Sequence, residues 1–123
     1  MSEAVLECCD INKAFFGVPV LRNVSLTLAR SEVCGLVGEN GAGKSTLMNI
    51  LGGVLPADSG RMLLAGEVYV PANPAAAARH GIAFIHQELN LFNNLSVAEN
   101  LCLGAFPRRR VLGIPFIDRR AVR

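Results

Sequence analysis

The apolar positions come in short runs broken by turn residues, and their spacing changes along the chain. Ala4 to Cys9 predicts a strand, with Asp10-Ile11-Asn12-Lys13 as the turn that ends it. Val20 to Leu28 alternates apolar and polar residues imperfectly, but well enough for a second strand. Ala29-Arg30-Ser31-Glu32 then turns into Val33-Cys34-Gly35-Leu36-Val37, a continuous apolar run expected to be a buried strand. Thr46 to Leu51 reads as a helix, and Gly52-Gly53 ends it in the left-handed manner. Pro56 to Gly60 is a loop. Arg61–Leu64 and Glu67–Val70 are predicted strands around Ala65-Gly66, a hairpin. Asn73 caps a helix with Pro74 at its first position, running to His80 and stopping at Gly81. Ile82-Ala83-Phe84-Ile85 is expected as a four-residue strand that delivers His86-Gln87-Glu88 to a loop. Ser96-Val97-Ala98-Glu99 matches a capping box, so a short helix starts there. Pro107 to Ile117 reads as irregular, and Asp118 as the N-cap of a single turn through Arg123. One helical turn cannot sustain itself, so the sequence is expected to be the front of something longer.

Chemistry concentrates between the third predicted strand and its helix. Gly38-Glu39-Asn40-Gly41-Ala42-Gly43-Lys44-Ser45 fits G-x-x-x-x-G-K-[ST], the phosphate-cradling Walker A loop, and Thr46 follows it. A backbone that curls around a polyphosphate needs turns that a Cβ would obstruct, which Gly41 and Gly43 supply. Lys44 brings a compact positive charge to the β- and γ-phosphates, and the Ser45 hydroxyl can ligate Mg²⁺. The helix that follows points its N-terminal dipole at the same phosphates. With only Lys13 and Lys44 as lysines and 12 glycines, this pattern would arise by chance in about one such chain in a thousand.

Composition narrows the partners. At 123 residues and 51% hydrophobic, the chain is one domain at most, with enough apolar content for a core. A net charge of +2 gives no reason to expect a nucleic-acid partner. Half of the twelve basic residues follow Pro107, which a solvated face or an exposed edge explains more simply than a binding patch. Cys8, Cys9, Cys34 and Cys102 lack metal-site spacing, so a reduced setting is expected, with Cys34 buried in the third strand. No N-terminal signal pattern is present, and no apolar run approaches the ~18 residues needed to span a bilayer. Any membrane role would come through a partner.

Beyond the loop, Asp58-Ser59-Gly60, Ile85-His86-Gln87-Glu88-Leu89-Asn90-Leu91 and Leu95-Ser96-Val97-Ala98-Glu99-Asn100-Leu101 carry a family likeness. From about Val5 to Val122 the chain resembles the ATP-binding subunit of ABC transporters, more narrowly its ribose- and xylose-type sugar-importer branch. The resemblance implies an α/β fold: a P-loop NTPase core of ABC ATPase type with an antiparallel β subdomain. Residues 1–123 would be the N-terminal part of one nucleotide-binding domain, and the helical subdomain would begin near Ser96 and be cut short. It implies ATP and Mg²⁺ as ligands, held by Gly38, Asn40, Gly41, Ala42, Gly43, Lys44, Ser45 and Thr46. Phe15 matches the aromatic that stacks on adenine, with Phe16 as its rival. Gln87 matches a glutamine that contacts Mg²⁺ and water and senses the membrane subunit, so Lys44 and Gln87 are the catalytic candidates, and Ser45 and Gln87 the metal candidates. His86 is expected to be structural.

The implied partners are transmembrane permease subunits, a second nucleotide-binding domain and, indirectly, a sugar-binding protein, at the cytoplasmic face of the membrane. Three features of the family are missing from these residues: an apolar strand ending Asp-Glu, an LSGGQ-type signature and a switch His. Ile114 to Asp118 is rejected as that strand, because Pro115 interrupts it and Arg119 follows where Glu is needed. The expectation is therefore a piece of a carbohydrate-import ATPase that binds nucleotide weakly, does not hydrolyse it and is marginally stable. Two other readings remain: a non-catalytic nucleotide-binding or interaction module, and a soluble ABC ATPase without a membrane partner.

Overall fold

Two long antiparallel strands, β1 (Ala4–Phe15) and β2 (Val18–Ala29), organise the first half of the computed structural model. The structure describes residues 3–85, 91–102, 108–111 and 114–117, the last two segments by their backbone pairing alone. The chain divides into two units, Met1–Ile85 and His86–Arg123.

In the first unit a four-stranded antiparallel sheet runs in the order β2-β1-β3-β4, with β3 (Ser59–Leu64) and β4 (Glu67–Val68) forming the expected hairpin. Ala65 (φ 49°) and Gly66 (φ 80°) make its two-residue turn, whose left-handed backbone matches the twist of the flanking strands. Both long strands exceed their predicted lengths. Asp10-Ile11-Asn12-Lys13 does not end β1; it lies inside the strand as an irregularity. The step from Cys8 to Ile11 faces the step from Leu26 to Val24, so β1 carries an extra residue there, and Asp10 has φ 52°. The next step, Ile11 to Lys13, faces Val24 to Leu21, so β2 carries the extra residue, and Asn23 has φ 48°. Asp and Asn are the residue types that tolerate this backbone.

These paired bulges explain the imperfect alternation. A bulge moves the inward face by one residue. On β1 the buried positions are Leu6 and Cys8, then Ile11; on β2 Leu21 is buried, and Val24, Leu26 and Leu28 pack partly against the core. The side chains knit the irregularity together. Ser25 Oγ accepts from Asp10 N–H (3.0 Å), Asn12 Oδ1 accepts from Asn23 N–H (2.9 Å), and Asn12 Nδ2 donates to Asn23 Oδ1 (3.0 Å).

Helix α1 (Lys44–Leu51) lays Leu47, Ile50 and Leu51 on this core, together with Met62, Tyr69 and Ala77. Burial pushes the Cys8 thiol up, with neighbouring Cys9 adding to the effect, so Cys8 behaves as a small hydrophobe. The left-handed residue after α1 is Gly53 (φ 72°), while Gly52 is still right-handed. Helix α2 (Pro74–Arg79) starts as expected, with Asn73 Oδ1 accepting from Ala76 N–H at 2.8 Å.

Two expected strands are not formed. Residues 33–37 and 82–85 have no strand pairing, Val33 and Val37 are almost wholly exposed, and Cys34 is exposed as well. Backbone N–H and C=O groups become a strand only against a neighbour, and neither segment has one among the described residues.

In the second unit, helix α3 (Val97–Leu101) carries the expected capping box. Ser96 N–H donates to Glu99 Oε2 (2.9 Å), and Ser96 Oγ accepts from Glu99 N–H (3.3 Å). Asn100 closes the preceding loop: its Oδ1 accepts from Phe92 N–H (2.9 Å) and its Nδ2 donates to the carbonyls of Phe92, Leu95 and Ser96. The stretch expected to be irregular contains β5 (Arg108–Val111) paired antiparallel with β6 (Ile114–Ile117), Arg110 opposite Pro115. A two-stranded hairpin consists of two edges, where proline is tolerated. The predicted cap at Asp118 lies outside the described residues.

Candidate functional site

The Gly38–Ser45 loop enters α1 through backbone conformations that only glycine adopts readily. Gly41 has φ 86° and Gly43 φ 93°. The space around them differs. A Cβ on Gly41 would meet nothing within 4 Å, whereas one on Gly43 would lie 2.7 Å from Leu21 Cδ2 and 3.1 Å from the Val20 carbonyl oxygen. Gly43 is thus where the loop touches β2.

Lys44 turns back into the loop. Its Nζ donates to the carbonyl oxygens of Gly38 and Glu39, both at 2.7 Å, and Ala42 N–H donates to the Glu39 carbonyl at 3.2 Å. No carboxylate pairs with this ammonium among the described residues, where the one ion pair is Lys13–Asp58. The helix start is uncapped, without a side-chain cap or an acidic residue in the first turn. Its first backbone bond runs from Leu47 N–H to Gly43 C=O (3.0 Å), which leaves the N–H groups of Lys44, Ser45 and Thr46 ahead of the ladder. A cation, three orphan donors, a helix dipole and no competing acid suit a polyanion.

The donor set also fits Mg²⁺ in its usual role. That ion keeps several waters and takes few protein ligands beside substrate phosphates. Ser45, in the first turn and exposed, offers one hydroxyl, and no group of His, Cys, Asp or Glu among the described residues could hold a metal alone.

Phe15 and Phe16 part company at the tip of the β1–β2 hairpin. Phe15 is the last residue of β1, opposite Val18, and Lys13 Nζ lies 5.7 Å from its ring centroid. Phe16 occupies the turn itself at φ 51°, fully exposed. An open groove of about 530 Å³ is lined by Lys13, Ala14, Leu21, Arg22 and Asp58 among others, without Phe15 itself. Leu21 belongs both to this groove and to the contact with Gly43, so the groove and the phosphate loop share a wall. Gln87, His86 and Glu88 lie outside the described residues.

Sequence reasoning passed over the side chains that hold this tip. It treated Asp58 as part of a loop, yet Asp58 accepts from Lys13 Nζ and from Ala14 N–H, each at 2.7 Å. These bonds hold its carboxyl below the usual carboxylate range, the Lys13 hydrogen bond contributing most and the Ala14 bond next. The partners are 45 positions apart, a pairing no local spacing announces. Gly60 in the same motif (φ 101°) lets β3 pass β1 closely, for a Cβ there would lie 2.5 Å from the Asp10 carbonyl oxygen.

A P-loop feeding an amphipathic helix that packs on an antiparallel sheet defines a nucleotide-binding α/β protein. The ABC transporter family model matches residues 21–122, and the chain belongs to that family. It is 50% identical over its whole length to the arabinose import ATP-binding protein AraG of Chromohalobacter salexigens, of which it spans 24%. It is 55% identical over 113 residues, 92% of the chain, to the ribose import ATP-binding protein RbsA of Chromobacterium violaceum, spanning 22% of that protein. The chain thus covers about a quarter or less of these relatives. Among solved structures, a nucleotide-free ATP-binding cassette from an ABC transporter superposes with TM-score 0.77 at 32% identity, over 84% of this chain and 41% of that one. Another ABC-transporter cassette, in its ADP conformation, gives 0.61 at 33% identity, over 63% and 31%. The expected ABC-type P-loop fold is borne out, although the strand expected to lead into the loop is not formed here.

Proposed function

We propose that residues 1–123 form the N-terminal part of one nucleotide-binding domain in an ATPase subunit that powers carbohydrate import. The observation that carries this reading is Lys44, held by the carbonyls of Gly38 and Glu39 at the uncapped start of α1. The names of the arabinose and ribose import relatives support the transport role.

On this reading the backbone of Gly38 to Gly43 wraps the phosphates, and Asn40 and Ala42 supply amides to the wrap. Lys44 leaves its carbonyl partners for phosphate oxygens, a stronger charge-assisted bond. The N–H groups of Ser45 and Thr46 donate to the same anion, and the Ser45 hydroxyl would be one protein ligand to Mg²⁺. The ion, when bound, neutralises phosphate charge. Phosphoryl transfer is mostly positioning and charge stabilisation, and these groups supply the charge part. Phe15 stacks on adenine: its ring is fixed at a strand end, whereas Phe16 sits on a bare turn. Gln87 joins Lys44 as a catalytic residue and Ser45 as a metal contact. The partners are transmembrane permease subunits, a second nucleotide-binding domain that completes the site, and a sugar-binding protein reached through the permease, at the cytoplasmic membrane face.

Calorimetric titration with MgATP tests the reading. Lys44→Ala is expected to weaken ATP about tenfold or more, since a bond to a charged group contributes about 1.5–3 kcal/mol. Unchanged affinity in a folded Lys44→Ala chain would refute the site.

A further inference from the structure

The β1 tip is held by a side chain where the sheet runs out. The last pair between β1 and β3 is Asn12 with Ser59. One residue earlier, Asp58 N–H donates to the Asn12 carbonyl at 2.9 Å, while its carboxylate reaches along β1 to Ala14 N–H at 2.7 Å. On the other flank Ala14 faces Pro19 of β2. Asp58 therefore extends the β3 edge by one step, its carboxylate standing in for a backbone acceptor. The same carboxylate takes the Lys13 ammonium at 2.7 Å, with the Lys13 side chain only 11% exposed, and that ammonium stands 5.7 Å from the Phe15 ring centroid.

We infer that Asp58 and Lys13 are positioning residues for the base site: together they fix the backbone before Phe15 and place a cation on its ring. This rests on the reading of Phe15 as the adenine platform. An exposed aromatic at a hairpin end would otherwise sample several rotamers and lose entropy on stacking. The cation–π contact and the Ala14 clamp meet that cost in advance. Asp58 also neutralises Lys13, so the ammonium stays at the ring and is not drawn to the triphosphate.

Titration of the chain with ATP, and separately with inorganic tripolyphosphate, separates base from phosphate binding in Phe15→Ala, Asp58→Asn, Lys13→Met, Lys13→Arg and the double variant F15A/D58N. Phe15→Ala should weaken ATP and leave tripolyphosphate alone; if ATP is untouched, the platform reading falls and the inference falls with it. Given a selective Phe15 effect, Asp58→Asn and Lys13→Met should each weaken ATP about two- to fivefold, the range of an exposed cation–π contact. They should not weaken tripolyphosphate, and D58N should add nothing in the F15A background. Lys13→Arg keeps cation and ion pair and should retain ATP affinity. Lys13→Met leaves the Asp58–Ala14 bond intact, so it reads the cation's part even if Asp58→Asn unfolds. Unchanged ATP affinity in Lys13→Met, equal loss of both ligands, or additivity with Phe15→Ala would overturn the positioning role while the Phe15 platform stands.

Discussion

Gly43 and Leu21 are in direct opposition: a methyl group on Gly43 would come within 2.7 Å of Leu21 Cδ2, with the Val20 carbonyl at 3.1 Å behind it. The phosphate loop is thereby seated on β2 at one point, where a left-handed backbone and lack of space both require glycine.

Gly43→Ala should therefore cost more than Gly41→Ala, although the two share nearly the same φ. At Gly41 the space is open and only left-handed strain applies, about 1–2 kcal/mol. At Gly43 the buried Leu21 side chain must also turn aside and the loop ease back from the Val20 carbonyl, adding up to about 1–3 kcal/mol of overpacking. Denaturant midpoints of the two variants check this; equal losses would show that the β2 contact carries no stability.

The chain is expected not to hydrolyse ATP. Lys44 and the loop amides stabilise charge, but an activated water needs an acid–base group, and the family's Asp-Glu strand is not found in these residues. Phosphate release from MgATP should stay at background. Turnover that vanishes in Lys44→Ala would disprove this.

Acid should release the Asp58 clamp. A carboxyl whose folded pKa is depressed adds stability above its ordinary pKa of about 3.9 and loses it as pH falls through the lowered folded value. The difference in thermal midpoint between the wild-type chain and Asp58→Asn should be constant from about pH 7 to pH 5, then shrink below about pH 4. Because Asp58 is half-exposed, the effect should be modest and should diminish in salt. A midpoint difference that grows on acidification would contradict the assigned sign.

Tyr69 holds the end of α1. Its hydroxyl donates to the Leu51 carbonyl at 2.7 Å in a buried site, meeting one of the acceptors a helix leaves at its C-terminus, and burial raises the phenol's pKa so that it remains a donor. Tyr69→Phe strands that carbonyl and should cost about 1–3 kcal/mol by denaturant titration, with the Phe ring keeping most of the packing. The expected marginal stability of the chain sharpens this: a sharp, cooperative melt of a monomer would contradict that expectation.

Local chemistry was legible wherever it acts over a few residues. The Walker A spacing, the Ala65-Gly66 turn, the Asn73-Pro74 helix start and the Ser96–Glu99 capping box all satisfy groups within one turn of themselves, so residue type and offset suffice. Phase along the long strands was not legible. Asp10 and Asn23 look like turn residues because they adopt the backbone of turn residues, but cross-strand pairing makes them bulges within continuous strands. The clamp on the Phe15 tip was equally hidden, since Lys13 and Asp58 meet only once β3 has docked on β1.

By itself, then, the sequence determined the phosphate loop, the short helices and the family, because each depends on side chains and φ preferences close in the chain. The tertiary structure decided three things: which face of β1 and β2 turns inward after each bulge, which carboxylate holds the aromatic tip, and whether an apolar run becomes a strand. Val33 to Val37 has the composition of a buried strand, but a strand is a relation between two segments, and its backbone forms none until a neighbour supplies the other half of each hydrogen bond.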